Sequence, residues 1–200
     1  MGQHKCQFSA CERQATSYFA RMEGRRVIEA SDLCDIHGHL RMEQHQSLSR
    51  LGFGTLTNTG NGAAFDIDLV FWDSLQNPPR GLCQVELAET GGHRHLRFAT
   101  DFFALSALLS ELHHYQSARP YTHQAMATLI RALGGSLQYV EIDKFRRGQD
   151  SANDIYEAKL HIRREDREGV LVDVRPADAL IMAVVFDVPI SVSNDVLGAM

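Results

Sequence analysis

The sequence predicts an α+β fold, a mixed β-sheet with packed helices, preceded by a small metal-binding module. Three observations carry this. The stretch LVDVRPADALIMAVVFDVPISV, residues 171–192, changes hydrophobic period twice, as a strand, a helix and a second strand would. From residue 65 onward the elements read as strands, two helices, three more strands in which the last leads into a helix, and a final strand, an order typical of α+β domains. Three of the 4 cysteines, Cys6, Cys11 and Cys34, fall near the start of the 200-residue chain, with only Cys83 beyond. Without an export signal, such clustering favours metal over disulfide.

Residues 1–50 read as the small module. Stretches 15–22 and 26–30 alternate as two short strands about Glu23-Gly24, and Asp32 is placed to cap a helix reaching about Leu48. Cys6 and Cys11 stand before this hairpin; Cys34 and His37, three apart, share one face of a helical turn. Three thiolates and an imidazole suit a tetrahedral zinc ion, and so small a module needs such a staple. His4 and His39 are rival fourth ligands, and buried reduced cysteines are the alternative to a metal. The arrangement resembles treble-clef or ribbon-like zinc modules. Residues 51–64 then form a flexible linker, since LGFGTLTNTGNGA holds four glycines and no charge.

The domain proper is expected over 65–200. Phe65, Ile67, Leu69 and Phe71 alternate with Asp66, Asp68 and Val70, giving a half-buried strand. After a Pro78-Pro79 break, stretches 82–89 and 93–98 make a hairpin about Gly91-Gly92, and Thr100 caps a helix through Tyr115. Arg119-Pro120 introduces a second helix, with Thr122 as cap, Met126, Leu129 and Ile130 inside, and Gly134-Gly135 as its stop. Stretches 137–142 and 155–162 are strands. The turns KFRRGQDSAND and RREDREG beside them supply Lys144, Arg146, Arg147, Lys159, Arg163, Arg164 and Arg167, which suit phosphate or a plain solvated hairpin. At 171–192 the period switches at Arg175-Pro176, because proline has its φ preset for a first helical turn and disfavours a helical residue before it. Ala177, Leu180, Ile181 and Val184 should face inward. Asp178, in the first turn, faces the positive end of the helix dipole and can reach Arg175, so Asp173, Arg175 and Asp178 are expected at one corner.

The segments VDVRPADAL, RPYTHQAMATLI and IYEAKLHI together resemble the bifunctional nuclease family, whose members are credited with cutting DNA and RNA, over roughly residues 65–195. The resemblance implies a nuclease that hydrolyses phosphodiester bonds. Its motifs fall on Arg119, His123, Asp173, Arg175 and Asp178, with Tyr156 nearby. On the needs of phosphodiester hydrolysis we assign Arg119 and Arg175 to phosphate, Asp173 and Asp178 to a divalent ion such as Mg2+ or Mn2+, and His123 to proton transfer. Each has a structural alternative: Asp178 serving its helix, Arg175 pairing with a neighbouring aspartate, His123 occupying a first turn. One departure stands out. Relatives carry a glycine and, three residues on, a glutamate at the start of the first helix, where Asp101 and Ala104 stand here.

Composition bounds the rest. A hydrophobic content of 44% supports an ordinary core, and no apolar run is long enough for a membrane span. The start MGQHKCQFSA lacks a signal-peptide core, so a cytoplasmic protein is expected. A net charge of -5 argues against coating nucleic acid by bulk electrostatics while permitting a local basic patch. Zinc-protease, phosphate-loop and serine-elbow signatures are absent. His93 with His95, and His113 with His114, lack companion ligands and read as surface residues. Nucleic acid is the expected partner, with a homodimer and a protein partner of the N-terminal module left open. The alternative function is a non-catalytic binding or regulatory module with a structural zinc site.

Overall fold

The structure is a computed structural model, describing residues 5–15, 17–23, 26–34, 36–38, 40–41, 58–59, 62–73, 83–90, 94–115, 117–147, 155–164 and 168–199. Gly24 of the first expected turn, the expected turns at Pro78-Pro79, Gly91-Gly92 and 148–154, most of the stretch 51–61, the helix beyond residue 41, His4, His39, His93 and Arg167 lie outside the described residues.

The chain divides into two compact units. The first comprises Met1–Leu56 with Ile67–Leu105 and the second Thr57–Asp66 with Ser106–Met200. In the first unit β1 (Ser17–Glu23) pairs antiparallel with β2 (Arg26–Leu33) and with the C-terminal part of β4 (Gly62–Asp73), and β5 (Cys83–Glu89) pairs antiparallel with β6 (His95–Thr100). Alternation places Val85, Leu87, Leu96 and Phe98 in its core. Asp32 does not cap a helix: it belongs to β2, and its backbone N–H donates to Gln7 Oε1 at 2.8 Å. The strand simply runs three residues further than its apolar pattern, because the edge bond to Gln7 satisfies it.

In the second unit β3 (Asn58–Thr59), the start of β4, β10 (Ile190–Ser193), β7 (Gly135–Arg146), β8 (Ile155–Arg164) and β9 (Val170–Val174) lie side by side in that order. Every pairing is antiparallel except β10 with β7, which is parallel, so the sheet is mixed as expected. Asn58, Thr59, Gly62 and Ala63, read as linker, are strand residues. Gly62 is needed where it stands, since a Cβ there would meet the Val192 carbonyl oxygen at 2.5 Å.

Helices α1 (Phe102–Leu112), α2 (Thr122–Ala132), α3 (Pro176–Phe186) and α4 (Asn194–Ala199) complete the chain. The cap of α1 is Asp101 rather than Thr100: its Oδ1 accepts the Ala104 N–H at 2.9 Å, while Thr100 ends β6. Thr122 is likewise the first residue of α2 and not its cap; Tyr121 takes that place, its N–H donating to Gln124 Oε1 at 3.1 Å. Leu129, expected inside, is exposed. Helix α3 buries Ala179, Leu180, Ile181, Met182 and Ala183 in succession, so it is enclosed on all sides instead of presenting one apolar stripe. Val140, Ile142, Ala158, Leu160, Ile190 and Val192 form the sheet's side of this core.

Gly134 has a φ of 74° and ends α2 as expected, with open space where a Cβ would stand. Gly134→Ala should therefore cost about 1–2 kcal/mol, read as a lower urea midpoint at unchanged slope. No helix of the described residues is long and apolar enough to cross a membrane.

Candidate functional site

Two helix N-termini meet at one corner of the second unit. His123 lies in the first turn of α2 and Asp178 in the first turn of α3, and His123 Nε2 stands 3.1 Å from Asp178 Oδ1. Both helices follow an arginine-proline step, Arg119-Pro120 and Arg175-Pro176, whose extended backbone turns the chain into the helix. The Arg175 guanidinium closes on the same carboxylate, Nε donating to Asp178 Oδ2 at 2.7 Å and Nη2 to Oδ1 at 3.2 Å. Burial alone would raise the Asp178 carboxyl, but the hydrogen bonds from Arg175 and His123, together with their charges, hold it below the usual carboxylate range. Its side chain is 22% exposed, that of His123 13% and that of Arg175 66%, so the histidine-aspartate pair is sheltered beneath an arginine that opens to solvent.

The structure brings together His123, Arg175 and Asp178 and leaves two expected residues apart from these contacts. Arg119 is exposed, and its guanidinium has no hydrogen bond or ion pair among the described residues. Asp173 is on β9, opposite Lys159 in the ladder, where its charge helps raise the Lys159 ammonium after the larger effect of Asp143. Tyr156 packs against Phe145 with the rings tilted by 37° and their centroids 4.9 Å apart. Several of the basic residues suited to phosphate already have an acidic partner: Lys144 and Arg146 share Glu157, and Lys159 pairs with Asp143.

In the first unit, Cys6, Cys11, Cys34 and His37 converge. Their ligand atoms all lie within 4.8 Å of one another. Cys6 Sγ and Cys34 Sγ are 3.4 and 3.3 Å from His37 Nδ1, and Cys11 Sγ is 4.0 Å from Cys34 Sγ. Bonds of about 2.3 Å to sulfur and about 2.1 Å to nitrogen at tetrahedral angles require edges of about 3.8 and about 3.6 Å, close to those observed. Burial raises the Cys6 thiol, yet backbone donors near Cys34 and Phe8, with His37 and Cys11, outweigh it and bring the thiol down to about 7. Phe8 stacks on the His37 ring with centroids 4.0 Å apart, orienting it. The group can hold a metal ion.

Residues 85–200, which include the whole His123, Arg175 and Asp178 corner, match the bifunctional nuclease domain. The chain belongs to the bifunctional nuclease domain family. An uncharacterized protein of Mycobacterium tuberculosis, present in two strains, is 31% identical over 112 residues, 56% of this chain and 62% of the relative. The match thus spans less than two thirds of those relatives' length.

Within the family's span, sequence reasoning missed two buried carboxylates on β5. Glu86, 1% exposed, accepts from Arg97 Nε at 2.8 Å and lies 3.0 Å from His95 Nδ1; Glu89 accepts from Arg94 Nε at 2.9 Å. Glu86 and Arg97 face each other directly in the hairpin ladder, and counting that register out from the turn was the available signal. His95, read as a surface histidine, is part of this group.

Proposed function

We propose that the chain cleaves phosphodiester bonds in nucleic acid at the corner where α2 and α3 begin. The observation that carries this reading is a sheltered histidine-carboxylate pair under a solvent-facing arginine, within the span of a nuclease family. In it His123 moves a proton at the reacting oxygen, Asp178 orients the imidazole and stabilises its charged form, and Arg175 takes the phosphoryl oxygens, joined by exposed Arg119. The helix N-termini add backbone N–H groups and positive partial charge. Asp173 stands opposite Lys159 on the strand that leads into this corner.

The N-terminal cluster is proposed to hold a structural zinc ion, on the fit of its four ligands to a tetrahedron. In this reading residues 1–50 are the metal-stapled module, 51–64 the linker and 65–200 the nuclease-like part. The alternative, a non-catalytic nucleic-acid- or protein-binding regulatory module, draws on the acidic partners that the basic residues of the hairpin already have and on Asp101 serving as a helix cap at the place where relatives are distinctive.

Arg175→Lys separates the two. It keeps the charge and loses the planar fork, so cleavage should fall by more than about tenfold with little change in melting temperature. If Arg175 is only a structural partner of Asp178, stability should drop by about 1–3 kcal/mol instead and binding should follow folding. Wild-type protein that cuts neither DNA nor RNA, with or without added divalent ions, sinks the nuclease reading.

A further inference from the structure

We infer that the outer edge of β9 is a dimer interface, on which β9 of a second copy of this chain adds antiparallel and continues the sheet.

The sheet of the second unit ends at β9. One side of that strand is paired with β8, from Val170 opposite Ile162 to Val174 opposite Ala158 without a bulge, and the other side has no strand beside it among the described residues. A strand presents backbone N–H and C=O groups along both sides, so a regular outer edge is a template for another strand. Edges that stay single are blunted by charges, proline or bulges. The outer strand of the first unit, β2, is of that kind. It carries Arg26, Glu29 and Asp32, its ladder with β1 is interrupted at Arg21-Met22, and Gln7 bonds to both the N–H and the C=O of Asp32. The sequence of β9 is VLVDV, with neither lysine nor proline, and it leaves Val170 44% and Leu171 59% exposed.

The occupant follows from the way this strand complements itself. The groups that point away from β8 belong to alternate residues, so two such edges bond only in a register that sets odd residues opposite odd and even opposite even. A two-fold axis through a residue gives such a register. Val172 is the middle of β9, and an axis there pairs the whole strand. Val170, Val172 and Val174, which share one face, then meet Val174, Val172 and Val170 of the second copy. On the other face Leu171 meets Asp173 of the second copy, while each Asp173 keeps Lys159 of its own chain opposite it on β8. No like charges stand directly across the seam. Arg175 meets Gly169 of the second copy, which has no side chain to obstruct the guanidinium.

Apolar surface flanks the edge. A Cβ on Gly135 would meet Ile130 of α2 at 3.1 Å and Ile162 of β8 at 3.2 Å, so α2 ends near the residue that pairs with Val170. That end of α2 exposes Leu129 and Leu133. Helices α2 and α3 pack on each other and on β7, so a sheet continued across the axis carries these helices of both copies on one face. Arg175 is three residues from the axis, and at about 3.4 Å per residue the two Arg175 backbones stand roughly 20 Å apart along the strands.

The test is sedimentation equilibrium on the full chain over a dilution series from about 100 µM to about 1 µM, the range suited to a small interface. Wild type should be dimeric at the top of the series and dissociate on dilution. Leu171→Asp sets two aspartates directly opposite each other at two symmetry-related places and should weaken the dimer by more than about tenfold. Leu171→Lys sets a lysine opposite Asp173 of the second copy and should keep the dimer. Leu171 is exposed in the single chain, so both variants should fold, as circular dichroism would check. Should either fold poorly, hydrogen exchange on wild type decides: the alternate β9 amides that point away from β8 should be protected in the concentrated sample and lose that protection on dilution. A monomeric wild type throughout, a dimer indifferent to Leu171→Asp, equal weakening by both variants, or β9 exchange independent of concentration would overturn the inference. None of these outcomes depends on whether the chain cleaves nucleic acid.

Discussion

Stripping zinc from the protein is expected to undo the packing of the N-terminal cluster, with about one equivalent of zinc released per chain. Cys6, Phe19, Leu33 and Cys34 form a small buried group with Cys11 packed against it, and three of those five are proposed ligands. Metal binding in sites of this kind contributes about 10–16 kcal/mol of apparent free energy at neutral pH, far more than so few apolar side chains supply. Cys11→Ser combined with Cys34→Ser should have the same effect as a chelator, with loss of hydrogen-exchange protection in β1 and β2. Protein that carries no zinc after expression in zinc-supplemented medium, or keeps that protection in chelator, would show that the thiols are simply buried.

The second large effect is expected at His123. Replacing it with glutamine should cost about 10²- to 10⁴-fold in cleavage, the range for loss of a general acid-base group, with the loss of stability limited because the glutamine amide keeps a donor for Asp178. Asp178→Asn should cost less in rate and should show a stability signature of its own. The Asp178 carboxyl is held below its ordinary value, so the stability it contributes is present above that value of about 3.9 and is lost as pH falls through the lower folded one. The stability gap between wild type and Asp178→Asn should therefore be constant near neutral pH and close only in acid. Cleavage unchanged in His123→Gln would remove this corner from the chemistry. A gap that is the same at pH 3 as at pH 7 would show that Asp178 has lost its cationic partners.

Much of this fold is written in local pattern. The switch of period at Arg175-Pro176 marks β9, α3 and β10, because a strand repeats every two residues, a helix every 3.6, and proline starts one and ends the other. The convergence of Cys34 with His37 follows from one helical turn, and the pairing of Arg175 with Asp178 follows from their three-residue spacing. The helix caps were less legible, since Thr100 and Thr122 are good capping residues beside Asp101 and Tyr121, and only the path of the chain selects among neighbours.

Tertiary structure decided the partners that lie far apart in the chain. His123 and Asp178 are 55 residues apart and meet only because two helix starts are brought to one place. Asp173, five residues from Asp178, goes to Lys159 because the β8–β9 register sets its neighbour, while Asp178 belongs to the helix that follows. The hairpin register sets Arg97 opposite Glu86, so the charge of Glu86 is buried with a counter-charge in place. A sequence records which side chains have the chemistry and how a few neighbours in the chain must be spaced; which charges neutralise one another across strands depends on register and packing, and in this protein that separates the His123, Arg175 and Asp178 corner from the ion-paired strands beside it.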